Sequence, residues 1–173
     1  MEKRNKNVVR LFVAAVLFAI AGSAAAQTYL NEVSIFGTWD NIDEPADQET
    51  IALHLRYGRF VTERLVGIGT ISRQSFDGPG PNSKTTALLV GAKYYFTELR
   101  PQAIVPFGEA SIGFANTDAG SVDDTDFSWE FGVGAALMIS ERTSIDGSFR
   151  FFATETDAKT EGTRFFLGLT TRF

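Results

Sequence analysis

The sequence predicts an all-β fold: an eight-stranded antiparallel up-and-down β-barrel that spans a membrane, preceded by a cleaved signal peptide. Three observations carry this. The chain opens on a basic and then apolar leader. Eight later stretches of about ten residues alternate between large apolar and small or charged side chains. The polar breaks between them alternate long and short.

The leader is MEKRNKNVVR, with Lys3, Arg4, Lys6 and Arg10 against Glu2, followed by the apolar run 11 to 22 and then SAAAQ. A basic start, a short apolar core and small residues before the cut form a secretory signal, with cleavage expected after Ala26. The run is shorter than the roughly 20 residues that cross a bilayer as a helix. Residues 1–26 are therefore read as the signal peptide and 27–173 as one barrel domain. With no cysteine the chain carries neither a lipid-modified cysteine nor a disulfide. Removing four basic residues and one acid leaves 12 Lys+Arg against 20 Asp+Glu, a net charge of −8 on 147 residues. Nucleic acid is excluded as a partner, because neutralising phosphates needs a basic surface.

The alternating stretches are 29–39, 50–60, 65–74, 85–96, 104–115, 127–139, 144–153 and 164–173. The breaks after the first, third, fifth and seventh hold about nine to eleven residues rich in Asp, Gly, Pro, Asn or Thr; the others hold about four to eight. Such parity is expected of hairpins that cross a wall, with ornate loops on one side and tight turns on the other.

Period-2 alternation puts each set of residues on one face of its strand. In 127–139, Trp129, Phe131, Val133, Ala135, Leu137 and Ile139 oppose Ser128, Glu130, Gly132, Gly134, Ala136 and Met138. In 144–153, Ile145, Gly147, Phe149 and Phe151 oppose Asp146, Ser148, Arg150 and Phe152. The second face carries isolated charges of both signs: Glu32, Arg56, Arg73, Lys93, Glu109, Glu130, Asp146, Arg150, Arg164 and Arg172. Balanced charges on that face beside strongly acidic breaks suit a narrow lumen in which each buried charge needs a partner. The predicted lumen network is Glu32, Arg56, Lys93, Glu109, Glu130, Asp146 and Arg150. Trp39, Trp129 and Phe151 lie near the long-break ends, and Tyr29, Tyr94, Phe96 and Phe173 near the short-turn ends, as interfacial aromatic belts do. In hydrocarbon every backbone N–H and C=O must be paired, so the first and last strands must meet.

The leader, the eight segments and the closing RFFLGLTTRF, ending on Phe173, resemble the small bacterial outer-membrane β-barrels of the OmpA/OmpX kind. The resemblance implies residence in the outer membrane of a Gram-negative bacterium, both termini periplasmic and the acidic loops outward. It implies that Phe165, Leu167, Leu169 and Phe173 form an assembly signal read by the barrel-assembly machinery; Thr171 departs from the apolar residue usual at its place. It also implies contact with outer-membrane lipid and lipopolysaccharide, and a monomer. No peptidoglycan-binding domain follows, so an OmpA-like tether to the cell wall is not expected.

Catalysis would need a nucleophile, a histidine base and an orienting acid. The one histidine, His54, has Arg56 two residues on along the same face, which opposes its protonation. No serine stands at the His-x-Ser spacing of lipid A deacylases, so no catalytic residue is assigned. Asp40, Asp43, Glu44, Asp47 and Glu49, and then Asp123, Asp124 and Asp126, do not follow a calcium-loop pattern, so no metal or cofactor is expected. Pairing of Glu109 with Arg56 or Arg150 would close a wide porin-like channel. The expectation is a structural or surface-interaction protein. Its alternatives are a lipid A-modifying enzyme and a soluble periplasmic lipocalin-like binder, whose large apolar face would turn inward.

Overall fold

The computed structural model describes residues 30–44, 48–76, 83–101, 103–119, 122–155 and 160–173. The leader, its cleavage point and Tyr29 lie outside them. Eight strands follow in order: β1 (Asn31–Glu44), β2 (Gln48–Phe60), β3 (Leu65–Phe76), β4 (Ser83–Tyr95), β5 (Ile104–Ala119), β6 (Val122–Met138), β7 (Thr143–Glu155) and β8 (Thr160–Arg172). Each pairs antiparallel with the next, and β8 returns to β1 to close the barrel. The seam is tied at its end by backbone bonds: Leu30 N and Asn31 N donate to Phe173 O at 3.1 and 2.9 Å, and Phe173 N donates to Asn31 O at 3.0 Å. The last residue is thus stitched to the first strand.

Alternation decides which way each side chain points, and burial decides what the two sides are. Ile35, Leu167 and Val133 are 49%, 55% and 65% exposed on the outside, whereas Arg56, Lys93 and Arg150 are 1%, 0% and 1% exposed within. A water-soluble barrel places these classes the other way round. Outside out, apolar; inside, charged: this order is stable only when the outer face meets hydrocarbon. The soluble-binder alternative is thereby removed.

One end of the barrel holds Leu30, Phe173 and three connections and is called here the turn end. Residues 61–64 and 139–142 form tight turns of the same construction. Thr62 Oγ1 accepts from Leu65 N at 3.0 Å, and Ser140 Oγ accepts from Thr143 N at 3.0 Å. The third connection, 96–103, is longer. It sends Leu99 and Ala103 against an apolar cluster of Phe60, Val66, Ile68, Tyr95, Val105, Phe107, Ala136 and Met138 that fills the lumen at this end. On its water side the Arg100 guanidinium hydrogen-bonds the Glu98 carboxylate and holds its carboxyl below the usual range.

At the opposite, loop end the strands run further than the alternation predicts. The break 116–126 is mostly hairpin: Asn116 pairs with Thr125, Thr117 with Asp124 and Asp118 with Asp123. The expected sorting of long and short connections is therefore corrected, since β5 and β6 leave only 120–121 between them while 96–103 lies at the turn end. The ladder continues where the hydrocarbon stops, because backbone pairing needs no apolar side chain. Once both faces meet water the period-2 signal vanishes.

Close approach explains one glycine at the seam. A Cβ on Gly168, which is paired with Phe36 in β1, would stand 2.0 Å from Ile35 O and 2.6 Å from Phe36 Cδ1. Gly168→Ala is expected to lower the unfolding free energy by about 1–3 kcal/mol through forced backbone movement. Gly37→Ala, on the outer face of the same seam with its nearest atom 4.0 Å away, is the comparison and is expected to change little. Urea unfolding in lipid vesicles, followed by tryptophan fluorescence, checks both.

Candidate functional site: the charged lumen

The lumen carries its charge in two groups stacked along the axis. The group nearer the turn end is built on Lys93 of β4. Its Nζ donates to Asp146 Oδ2 at 2.8 Å, stands 3.6 Å from Glu32 Oε1, and lies over the Tyr95 and Phe107 rings at 4.6 and 4.3 Å from their centroids. Tyr95 takes a hydrogen bond from Arg172 Nη2 at 2.8 Å and donates its own to Glu32 Oε2 at 2.9 Å. Thr170 Oγ1 donates to Asp146 at 2.9 Å, and Ser144 Oγ donates to its other oxygen while accepting from Arg172 Nη1 at 3.0 Å. Two cations face two anions, and five strands contribute.

The second group lies toward the loop end and centres on Glu109 of β5. Arg56 Nη1 reaches Glu109 Oε2 at 2.8 Å, and Arg56 Nε donates to Thr70 Oγ1 at 3.0 Å. Arg150 Nη2 lies 2.5 Å from Glu109 Oε1, and Arg150 Nη1 donates to Glu130 Oε1 at 2.6 Å. Arg164 extends the chain to Glu130 at 3.6 Å. Aromatic faces support the guanidiniums: Arg150 stands 3.6 Å from the Phe166 centroid, Arg164 4.3 Å from Phe152 and Arg56 5.0 Å from Phe36. Lys93 and Glu109 are register partners across β4 and β5, so the two groups adjoin.

All seven residues of the expected network, Glu32, Arg56, Lys93, Glu109, Glu130, Asp146 and Arg150, thus lie buried inside, divided between these groups. Arg172 completes the first and Arg164 the second. Tyr95, Ser144 and Thr170 escaped the reading because a hydroxyl carries no sign that a charge pattern would flag. Arg73 is a correction. It stands on the outer face of β3, exposed, opposite Leu53 and Thr86. In β3 the inward set is Val66, Ile68, Thr70, Ser72 and Gln74, and the outward set is Leu65, Gly67, Gly69, Ile71 and Arg73. Neither is plainly the greasy one, and only the neighbours' register fixes the face.

His54 points into the lumen, 2% exposed. Its Nε2 pairs with Thr38 Oγ1 at 3.0 Å, its ring packs 4.9 Å from the Phe166 centroid, and its Nδ1 has no hydrogen-bond partner among the described residues. Among the described residues no group of three or more His, Asp or Glu is placed to hold a metal. The acidic side chains of the first loop, Asp40 to Glu49, lie outside the described residues, as do those of Asp123 and Asp124. On β8, Phe165, Leu167, Leu169 and Phe173 are all exposed on the outer face, 47–57%.

Comparison by sequence with functionally curated proteins finds no match. Among solved structures, the chain is similar to neisserial surface protein A at 13% identity, covering 84% of this chain and 97% of that one with a TM-score of 0.67. It is similar to Ail, the attachment invasion locus protein of Yersinia pestis, at 16% identity, 84% and 99% coverage and a TM-score of 0.56. It is also similar to the outer membrane enzyme PagL, at 16% identity, 78% and 97% coverage and a TM-score of 0.53. At these identities the likeness concerns the fold. The family model described as "Outer membrane protein beta-barrel domain" matches residues 12–173, nearly the whole chain. With its closed eight-stranded wall, apolar exterior and charged lumen, the chain belongs to the outer-membrane β-barrel family and resides in the lipid of the outer membrane.

Proposed function

We propose that this chain is a non-catalytic, monomeric outer-membrane barrel whose loop end is presented outside the cell as a contact surface. The observation that carries the reading is a lumen filled from the turn end to beyond its middle, first by the apolar cluster and then by paired charges. A filled lumen suits an anchor better than a channel. In this reading the leader is removed after Ala26, both termini are periplasmic, and β8 is recognised by the assembly machinery through Phe165, Leu167, Leu169 and Phe173. Lipopolysaccharide is the lipid it meets on the outer side.

The likeness to PagL is one of fold and brings no enzyme with it. His54 faces inward, away from any lipid acyl chain, and among the described residues no carboxylate meets its Nδ1 to orient a base. Cells expressing the chain are expected to yield lipid A of unchanged mass by mass spectrometry. They are expected to adhere to immobilised host-matrix proteins more strongly than cells carrying the same barrel with its four loop-end hairpins shortened. Loss of an acyl chain from lipid A, or adhesion indifferent to the hairpins, would sink the proposal.

A further inference from the structure

Arg73 and Lys84 mark a place on the outer wall where charge meets the apolar belt. Both are exposed on the outward face, Arg73 on β3 and Lys84 on β4. Arg73 is the register partner of Thr86, and Lys84 is two residues before Thr86 on the same face. The two cations are therefore diagonal neighbours, about 7–8 Å apart at the backbone. Asp118 stands opposite Lys84 in register. Among the described residues nothing pairs with Arg73.

Directly toward the turn end the same face is apolar. Ile71 lies below Arg73, Leu53 beside it and Leu88 below Thr86, at 51%, 60% and 50% exposure. One step further Gly69 leaves a furrow, with no atom within 4 Å of where its Cβ would be. A guanidinium stem can lie along such a surface with its head at headgroup level. An unpaired cation there gains by meeting an anion, and a phosphate offers Arg a bidentate partner. The chain's own net negative charge makes this cationic corner distinct from its surroundings.

We propose that the outward face of β3 and β4 at the loop end holds one multiply phosphorylated outer-leaflet lipid of the lipid A type, with Arg73 and Lys84 on its phosphate and an acyl chain along Ile71, Leu88 and the Gly69 furrow. This rests on the orientation given above, with the loop end outside. It goes beyond general contact with lipopolysaccharide by assigning the residues that make it.

The test uses the mature barrel refolded in detergent micelles and native mass spectrometry with bis-phosphorylated lipid A. Wild type is expected to retain one lipid A. Arg73→Gln is expected to weaken retention about tenfold or more, and Lys84→Gln less, because the register position opposite that lysine holds an acid, Asp118. Fully dephosphorylated lipid A is expected to bind as weakly to wild type as lipid A binds to Arg73→Gln. Equal retention by wild type and Arg73→Gln overturns the site, as does equal retention of dephosphorylated lipid A or of phosphatidylglycerol. Orientation is read separately, by labelling single cysteines in this cysteine-free chain with an impermeant maleimide on intact cells. Glu155→Cys is expected to label and Ser140→Cys is not. Labelling at Ser140→Cys instead overturns the orientation, and with it the outer-leaflet source, whatever the lipid measurement shows.

Discussion

Replacing Glu109 with alanine is expected to lower the unfolding free energy of the barrel by about 3–5 kcal/mol, the cost of leaving buried charge without its partner. Glu109 is the only carboxylate among the described residues within ion-pair distance of Arg56, and it shares Arg150 with Glu130. Its loss leaves Arg56 with Thr70 as its one hydrogen-bond partner among the described residues, beside the Phe36 ring. Removing both members tells the penalty apart from the bond. In Arg56→Met with Glu109→Leu, Arg150 keeps Glu130 and no orphaned cation remains, so the double variant is expected to be markedly more stable than Glu109→Ala. The exposed Glu98 pairs with Arg64 at 3.9 Å and with Arg100, and Glu98→Ala is expected to leave the urea midpoint essentially unchanged, because water screens the pair. Urea midpoints in vesicles order the three variants. A Glu109→Ala barrel as stable as wild type would mean that water reaches and solvates the Arg56 guanidinium.

The wall was legible because hydrocarbon is an unforgiving solvent. Every second residue from Ile145 to Phe151, and from Phe165 to Leu169, has to satisfy it, and the resulting alternation survives in a single sequence. Inward charges were legible for the complementary reason: a lone Lys93 or Glu109 amid greasy residues has no place in lipid. What a sequence pattern carries poorly is anything set by neighbours. From sequence Arg73 reads as inward because β3 is mixed on both faces, and only its pairing with β2 and β4 places it outside. The apolar filling of the turn end was also hidden. Val66 and Val105 look like members of an outer stripe until the register turns them inward. The loop-end hairpins look like loops in the sequence because the alternation ends at the membrane edge, although hydrogen bonding does not. Which carboxylate meets which cation was half legible. Glu109 with Arg56 or Arg150 follows from matching signs, but the part of Tyr95 as a bridge between Arg172 and Glu32 depends on distances that only the closed barrel defines.

Leu167→Arg is expected to cost about 2–4 kcal/mol in a bilayer, the penalty for a cation on the lipid face near the midplane. Leu167 is placed for a clean measurement. It lies at the middle of the outer face of β8, 55% exposed, with Gly37 and Gly147 as register partners on either side. No described acid stands beside it to pair with the new charge, and both flanking positions are too small to shelter it. The same charge placed at Glu155, near the loop-end limit of β7 and beyond the aromatic residue Phe151, is expected to cost about 0–1 kcal/mol, because there it meets headgroups and water. The difference between the two sites reports depth, and therefore the face assignment on which the rest depends. In a barrel that kept its apolar stripe from lipid, Leu167→Arg would add one more solvated charge to an exposed position and leave stability unchanged. Equal unfolding free energies for the two variants in vesicles would take Leu167 out of the hydrocarbon. A gap of the expected size fixes the belt at mid-β8 and puts Phe165, Leu167 and Leu169 in lipid.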